Sequence, residues 1–195
     1  MDIIIKDLCK SYSDNIVLDK LDAVIEKGKT TCLMGPSGEG KTTLLNILMG
    51  FENADSGSIE NVPAHKSAVF QEDRLCESFS AFTNVKIAND SLTDEIVKEH
   101  LKLVGLEDAV NQTVSTLSGG QKRRVALVRA MLAEKDILFL DEPFKGLDES
   151  TKKTVTDYLA ANTKNLTVVM VTHDADEATS LDAKILLLKG GKIAF

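Results

Sequence analysis

The stretch GPSGEGKTT, from Gly35 to Thr43, constrains the chain most, because it fits the pattern G-x-x-x-x-G-K-[S/T] in its proper setting. An apolar run, TTCLM, precedes it and a helical pattern follows it. Glycines let backbone N–H groups turn toward a phosphate, and the start of the helix adds a positive dipole. The pattern predicts a nucleotide site, with Lys41 reaching the β- and γ-phosphates and the Thr42 hydroxyl binding Mg²⁺. A flexible turn between a strand and a helix is the alternative.

Short apolar runs that end in polar or turn residues recur along the chain and predict strands buried on both faces of a parallel sheet. These runs are TTCLMG, SAVFQ, DILFLDEP, LTVVMVTH and KILLL. Helical patterns lie between them, which is typical of an α/β fold. One helix should start at Lys41 and end at Gly50, and another should span Thr93 to Val104. Residues 72–130 hold helical patterns without a strand, and ILLLKGGKIAF predicts a final hairpin.

Composition excludes several classes of function. The 195 residues suit one domain, and the net charge of −7 gives no general reason to bind nucleic acid or an anionic bilayer. No apolar run reaches the length of a membrane span, and the N-terminus does not read as a secretion signal. The three cysteines are odd in number and lack the close spacing of a zinc or CxxC site, which favours reduced thiols. We expect a soluble, cytoplasmic protein.

Two carboxylates follow the apolar run DILFL. Asp141 should end a buried strand, at the edge of the sheet where ligands gather in α/β folds, and could hold a hydrated Mg²⁺ ion. Glu142 comes next and could orient or deprotonate a water molecule. The alternative is a second acid near the metal, or an acid with a structural role only.

A second glycine loop precedes a helix at LSGGQKRRVALVRA, where Ser118 can cap a helix starting near Gly119. The exposed start of a helix is an anion site, although SGG before a helix is often only a cap. If the first loop already wraps the triphosphate, one chain cannot easily fold back to bind it twice. A head-to-tail dimer with two-fold symmetry can close two nucleotides between first and second loops. We therefore predict an ATP-dependent homodimer, or a dimer with a homologous chain.

The order of these motifs resembles the ATP-binding cassette (ABC) family, specifically the ATPase subunit of ABC transporters. The motifs are GPSGEGKTT, Gln71 after SAVF, LSGGQ, ILFLDEP, GLD at 146–148 and His173 after VVMVT. The resemblance runs from Ile3 to Phe195 and implies an α/β P-loop NTPase core, an N-terminal antiparallel β part and an inserted helical subdomain. It implies a single domain over 1–195, with the core at 1–71 and 131–195 and the helical subdomain at about 72–130.

The resemblance also implies residue roles. Glu142 resembles the catalytic base, His173 the switch histidine that holds the γ-phosphate and the attacking water, and Gln71 the glutamine that senses Mg²⁺ and water. Asp141 resembles the Walker B aspartate, so the metal ligands would be Thr42, Gln71 and Asp141. The nucleotide contacts would be Tyr12 on adenine, the Walker A loop (Gly35, Pro36, Ser37, Gly38, Glu39, Gly40, Lys41, Thr42, Thr43), the signature loop (Ser118, Gly119, Gly120, Gln121) and Asp148 at the dimer interface.

The stretch between Gln71 and Leu117 is short, and QEDRLCESFSAFTNV resembles the segment of importer ATPases in the nitrate, sulfonate and taurine group. Cys76 and Glu77 depart from that group, which tends to have apolar residues and Pro there. The resemblance implies peripheral attachment to the inner face of the membrane, docking on transmembrane permease subunits through residues 72–85, and a solute-binding protein in the complex. With the chain ending at Phe195, we expect no C-terminal regulatory domain. The alternatives are an ABC ATPase that regulates a membrane or envelope complex mechanically, and a small-molecule kinase.

Overall fold

The computed structural model describes residues 1–13 and 15–194; Phe195, the last residue of the predicted hairpin, lies outside them. The strands are β1 (Ile3–Tyr12), β2 (Asn15–Ile25), β3 (Thr30–Met34), β4 (Ser56–Glu60), β5 (Lys66–Val69), β6 (Ile137–Asp141), β7 (Thr167–Val171), β8 (Lys184–Lys189) and β9 (Lys192–Ala194). The helices are α1 (Lys41–Met49), α2 (Ala81–Lys86), α3 (Asp94–Leu103), α4 (Gly119–Leu132), α5 (Glu149–Asn162) and α6 (Ala175–Ser180), with short 3₁₀ turns at Glu107–Ala109 and Val114–Thr116.

All five predicted apolar runs form strands of one sheet, in the order β5-β6-β7-β3-β8-β9. The first five run parallel, and β9 returns antiparallel to β8 around the Gly190–Gly191 turn, as the predicted hairpin requires. A second, three-stranded sheet in the order β2-β1-β4 is antiparallel throughout. The α/β core and the N-terminal antiparallel part are thereby confirmed.

The side chains of the central strands point alternately to the two faces of the sheet, and the core therefore has two layers. Successive side chains of a strand point to opposite faces, so β6 sends Ile137 and Phe139 one way and Leu138 and Leu140 the other. Ile137 and Phe139 pack with α1 and the antiparallel sheet. Leu138 and Leu140 pack with the helices that follow residue 80. A strand that is apolar on both faces is thus buried on both faces. Burial of each large apolar side chain stabilises the fold by about 1.5–3 kcal/mol.

The segment 72–130, described in full, holds α2, α3 and most of α4 without a strand, as predicted. Helix α4 continues across the predicted boundary at residue 130 to Leu132, and its buried Val125 and Val128 face the sheet. The end of the first helix is confirmed, because Gly50 adopts φ 84° after α1. The second helix is one residue shorter at each end than predicted, since Thr93 and Val104 are its caps. Among the helices of residues 1–13 and 15–194, we find none with the length and apolar character to cross a bilayer.

Candidate functional site

The first glycine loop connects β3 to α1, the strand–loop–helix setting that the sequence predicts. Helix α1 starts directly after Gly40, whose φ of 93° is accessible to glycine without strain. The Lys41 ammonium lies inside the loop and donates to the carbonyls of Gly35 and Pro36, each at 2.7 Å. A cavity of about 200 Å³ opens at the start of α1, lined by Val17, Gly38, Gly40, Lys41, Thr42 and Thr43. The loop thus joins a lysine, a free helix start and an open space, as a phosphate site needs.

The hairpin of β8 and β9 packs against this loop. A Cβ at Gly35 would lie 2.2 Å from the carbonyl oxygen of Leu188, so only glycine fits. Glu39 points out of the loop and accepts a hydrogen bond from the backbone N–H of Gly190 at 2.5 Å. The predicted loop residue Glu39 therefore turns its carboxylate to the hairpin, while its backbone stays in the loop.

Neighbouring parallel strands bring two predicted catalytic residues together. Asp141 at the end of β6 pairs with Val171 at the end of β7, so the residues that follow each strand become neighbours. The Nδ1 atom of His173 accordingly lies 3.1 Å from a carboxylate oxygen of Glu142. The backbone of Glu142 has φ 50°, a left-handed conformation that costs a residue with a side chain about 1–3 kcal/mol. Such a strained backbone persists only where its surroundings hold it.

The electrostatic environment of Asp141 favours binding of a cation. Burial, and after it the neighbouring Glu142 carboxylate, raises the pKa of Asp141, while Arg123, Lys145 and Lys41 act in the opposite direction. A divalent cation would relieve this crowding of carboxylates. With Thr42 and Gln71 the donors would all be hard oxygens, which fit Mg²⁺, an ion that needs few protein ligands beside phosphate. The described residues contain no cluster of three His, Cys, Asp or Glu that could hold another metal.

An ion-pair network that the sequence did not predict supports the His173 turn. Lys152 of α5 lies 2.8 Å from carboxylate oxygens of both Asp174 and Glu177. The buried Glu177 also accepts a hydrogen bond from the buried Thr172 hydroxyl at 2.5 Å. These contacts fix the residues on both sides of His173, whose own side chain is 81% exposed. Lys152 and Glu177 carry no local signal, because their pairing depends on the packing of α5 against α6.

The second glycine loop begins α4 with a full capping box. Ser118 accepts from the Gln121 N–H at 3.2 Å, and the Gln121 side chain accepts from the Ser118 N–H at 2.9 Å. A Cβ on Gly120 would lie 3.4 Å from Leu147, so the loop borders the GLD segment. Asp148, expected at the dimer interface, also caps α5, where its carboxylate accepts from the Thr151 N–H at 3.0 Å.

Gln71 and Tyr12, two predicted site residues, lie at the edge of the candidate nucleotide site. Gln71 lies two residues past the end of β5 and is exposed. Tyr12 is 45% exposed, with Thr43 of α1 near its hydroxyl. That hydroxyl donates to Glu52 at 2.5 Å, and this bond raises the pKa of Tyr12. The ring therefore lies near the first glycine loop with a surface open to solvent.

The predicted docking segment 72–85 presents both apolar and charged groups. Phe79 is 43% exposed, whereas Leu75 and Phe82 are partly buried against the helical core. The Arg74 guanidinium lies 3.8 Å from the centre of the Phe70 ring. Of these three apolar side chains, Phe79 is therefore the one that faces outward.

Comparisons with known proteins place these features among ATP-binding cassettes. Residues 18–145 match the ABC transporter family. The chain is 40% identical to an aliphatic sulfonates import ATP-binding protein of Rhodococcus jostii, covering 95% of this chain and 70% of that protein. It is 35% identical to a spermidine/putrescine import ATP-binding protein of Haemophilus ducreyi, covering 97% of this chain and 56% of that protein. A dimeric ATP-binding cassette bound to ADP and Pi superposes with a TM-score of 0.85 at 26% identity, over 99% of this chain and 97% of that one.

Proposed function

The chain belongs to the ABC transporter family, and from that membership we propose how its residues work as the ATP-hydrolysing motor of an importer. The observation that carries the proposal is the contact between Glu142 and His173 beside the Lys41 loop. ATP binding and hydrolysis follow from the family, and the kinase alternative has no remaining support. The two import relatives are named for chemically different solutes, a sulfonate and a polyamine, so no solute is assigned.

In the proposed mechanism, the Lys41 ammonium leaves the Gly35 and Pro36 carbonyls for the phosphate oxygens, and the N–H groups at the start of α1 hold the same phosphates. Glu142 accepts a proton from the attacking water. His173 donates to Glu142 through Nδ1, which orients the carboxylate and leaves Nε2 for the γ-phosphate. Thr42, Asp141 and Gln71 would hold Mg²⁺, which when bound neutralises phosphate charge.

We further propose that two copies, or this chain and a homologous ATPase, close head to tail. Loop Ser118–Gln121 would offer the N–H groups of Gly119 and Gly120 to the nucleotide on the partner's first loop, and Asp148 would lie at the interface. The capping box supports this arrangement, because it occupies the Gln121 N–H and leaves the preceding N–H groups at the helix start for an anion.

The motor would lie peripherally on the cytoplasmic face of the membrane and dock on permease subunits through residues 72–85, with residues 72–130 as its helical subdomain. Exposed Phe79 supports docking by that segment. A solute-binding protein would complete the importer.

Purification of the tagged chain from its native membranes, followed by identification of the proteins that accompany it, tests this proposal. We expect a polytopic permease with wild type, its loss with Phe79→Ser, and its retention with the control Ile16→Ser, another exposed apolar residue, on β2. Recovery with soluble factors alone would contradict the importer role. Recovery with a membrane complex that moves no solute would favour the mechanical regulator.

A further inference from the structure

Arg123 lies in α4, five positions after the cap Ser118, and its side chain is only 3% exposed. A buried guanidinium is costly unless its N–H groups find acceptors. Arginine has five such donors in a planar fork, whereas lysine has three on a single atom. The hydrogen-bond acceptors around this guanidinium therefore show what stabilises it in the interior.

All five donors of Arg123 are directed at acceptors at the carboxyl ends of β5 and β6. Nε donates to the Pro143 carbonyl at 3.1 Å, and one terminal nitrogen donates to the carbonyls of Asp141 and Glu142 at 2.6 and 2.5 Å. The other terminal nitrogen donates to the Phe70 carbonyl at 2.5 Å and the Asp73 carboxylate at 3.0 Å. One side chain of α4 thus binds the backbone around Glu142 and the residues on both sides of Gln71.

The Glu142 peptide is held from two directions. Its N–H donates to the Val171 carbonyl of β7 at 2.9 Å, and its carbonyl accepts from Arg123. These two contacts act on the residue whose backbone is left-handed, and a shift of either would rotate its carboxylate relative to His173.

We propose that Arg123 is a positioning residue for hydrolysis, holding the Glu142 backbone so that the carboxylate meets its water. This inference rests on the proposed function. Helix α4 starts at the signature loop, about 6 Å along the axis from Arg123 at 1.5 Å per residue. Contact of that loop with the partner's nucleotide would therefore reach Glu142 of its own chain through one rigid turn of helix. The same guanidinium reaches Asp73, at the start of the docking segment.

A purely structural role, joining the helical segment to the sheet, would make a different prediction. Arg129 of the same helix serves as the matched control, because its guanidinium also ties α4 to backbone carbonyls, those of Arg74 and Asp73, at 2.9 and 2.8 Å. It makes no contact with the Glu142 peptide among the hydrogen bonds of the described residues. Arg123→Lys and Arg129→Lys each remove hydrogen bonds from α4 to backbone carbonyls. Only Arg123→Lys removes the hydrogen bond to the Glu142 carbonyl.

The experiment compares steady-state ATP hydrolysis and equilibrium ATP binding in wild type, Arg123→Lys, Arg123→Gln and Arg129→Lys, with thermal unfolding of each. We expect both Arg123 variants to lose at least tenfold in kcat, with KM and ATP affinity within about twofold of wild type. Arg129→Lys should keep its kcat. Unchanged kcat in the Arg123 variants, a parallel change in KM, or an equal loss in Arg129→Lys would overturn the inference.

A second measurement separates misfolding from mispositioning. In a Glu142→Gln background, the Arg123→Lys chain should still dimerise with ATP, because its signature loop and first loop are intact. Failure to dimerise would show that Arg123 acts on assembly and would overturn its role at Glu142. Lack of hydrolysis by wild type would overturn the proposed function itself, which is a different outcome from an active wild type with active Arg123 variants.

Discussion

His173 donates from Nδ1 to the carboxylate of Glu142 at 3.1 Å, although 31 residues separate the two in sequence. The contact follows from strand order, since β6 and β7 are parallel neighbours and each residue stands just past the end of its strand. A carboxylate only accepts hydrogen bonds, so Nδ1 is the ring nitrogen that carries the hydrogen in this contact.

Glu142→Gln should lower ATP hydrolysis by at least about 100-fold, because an amide cannot take the proton that a general base removes. The variant should keep ATP and form a stable dimer. Phosphate release and size-exclusion chromatography with MgATP measure the two effects. Glu134→Gln, an exposed acid ahead of the same strand, is the control. A Glu142→Gln chain that stays monomeric with saturating MgATP would contradict the head-to-tail arrangement.

Lys41→Met should weaken ATP binding on the order of 100-fold, since charge-assisted hydrogen bonds contribute about 1.5–3 kcal/mol. Lys66→Met is the control, because Lys66 donates to the Leu48 and Met49 carbonyls at the other end of the same helix, at 3.0 and 3.2 Å. Titration calorimetry with ATP compares them. Equal losses in both variants would indicate that α1 was disturbed as a whole.

Glu39→Gln should bind ATP roughly two- to tenfold more tightly, because it removes a negative charge from a phosphate loop while its amide oxygen can still accept from Gly190. The gain should shrink as salt rises, since ions screen the carboxylate. Glu39→Ala removes the charge and the hydrogen bond together and separates the two effects. Affinity unchanged in Glu39→Gln at low salt would show that the charge does not act on the nucleotide.

Glu26→Gln should change how stability depends on pH. Hydrogen bonds from Lys29 and then Lys184 lower the pKa of Glu26 from 4.5 to about 2. Because the folded pKa lies below the unfolded value, the ion pairs stabilise the fold above about pH 4.5 and cease to do so as pH falls to 2. Urea unfolding should therefore show a difference between wild type and variant that is largest near neutral pH and disappears by about pH 2. A difference that stays constant over this range would contradict the assignment, and Glu60→Gln, at another exposed ion pair, is the control.

Local patterns predicted what depends on neighbours in sequence. The first glycine loop, the buried strands and the cap Ser118 are set by short stretches, and the structure has them as expected. Arg123 and Lys152 could not be assigned this way. Their partners lie on other elements. The sequence of a helix therefore does not distinguish a solvated basic residue from one that is buried and hydrogen-bonded to five acceptors.

The close approach of Gly35 to Leu188 has a consequence for gene fragments and truncated expression products. Strand β8 pairs with β3, the strand that delivers the phosphate loop, and its turn receives Glu39. A product that stops before Lys184 would retain every sequence motif from Gly35 to His173, yet β3 would become an open edge. A motif search would count such a fragment as a complete ATPase, although it would lack the β8–β9 hairpin that packs against its first glycine loop.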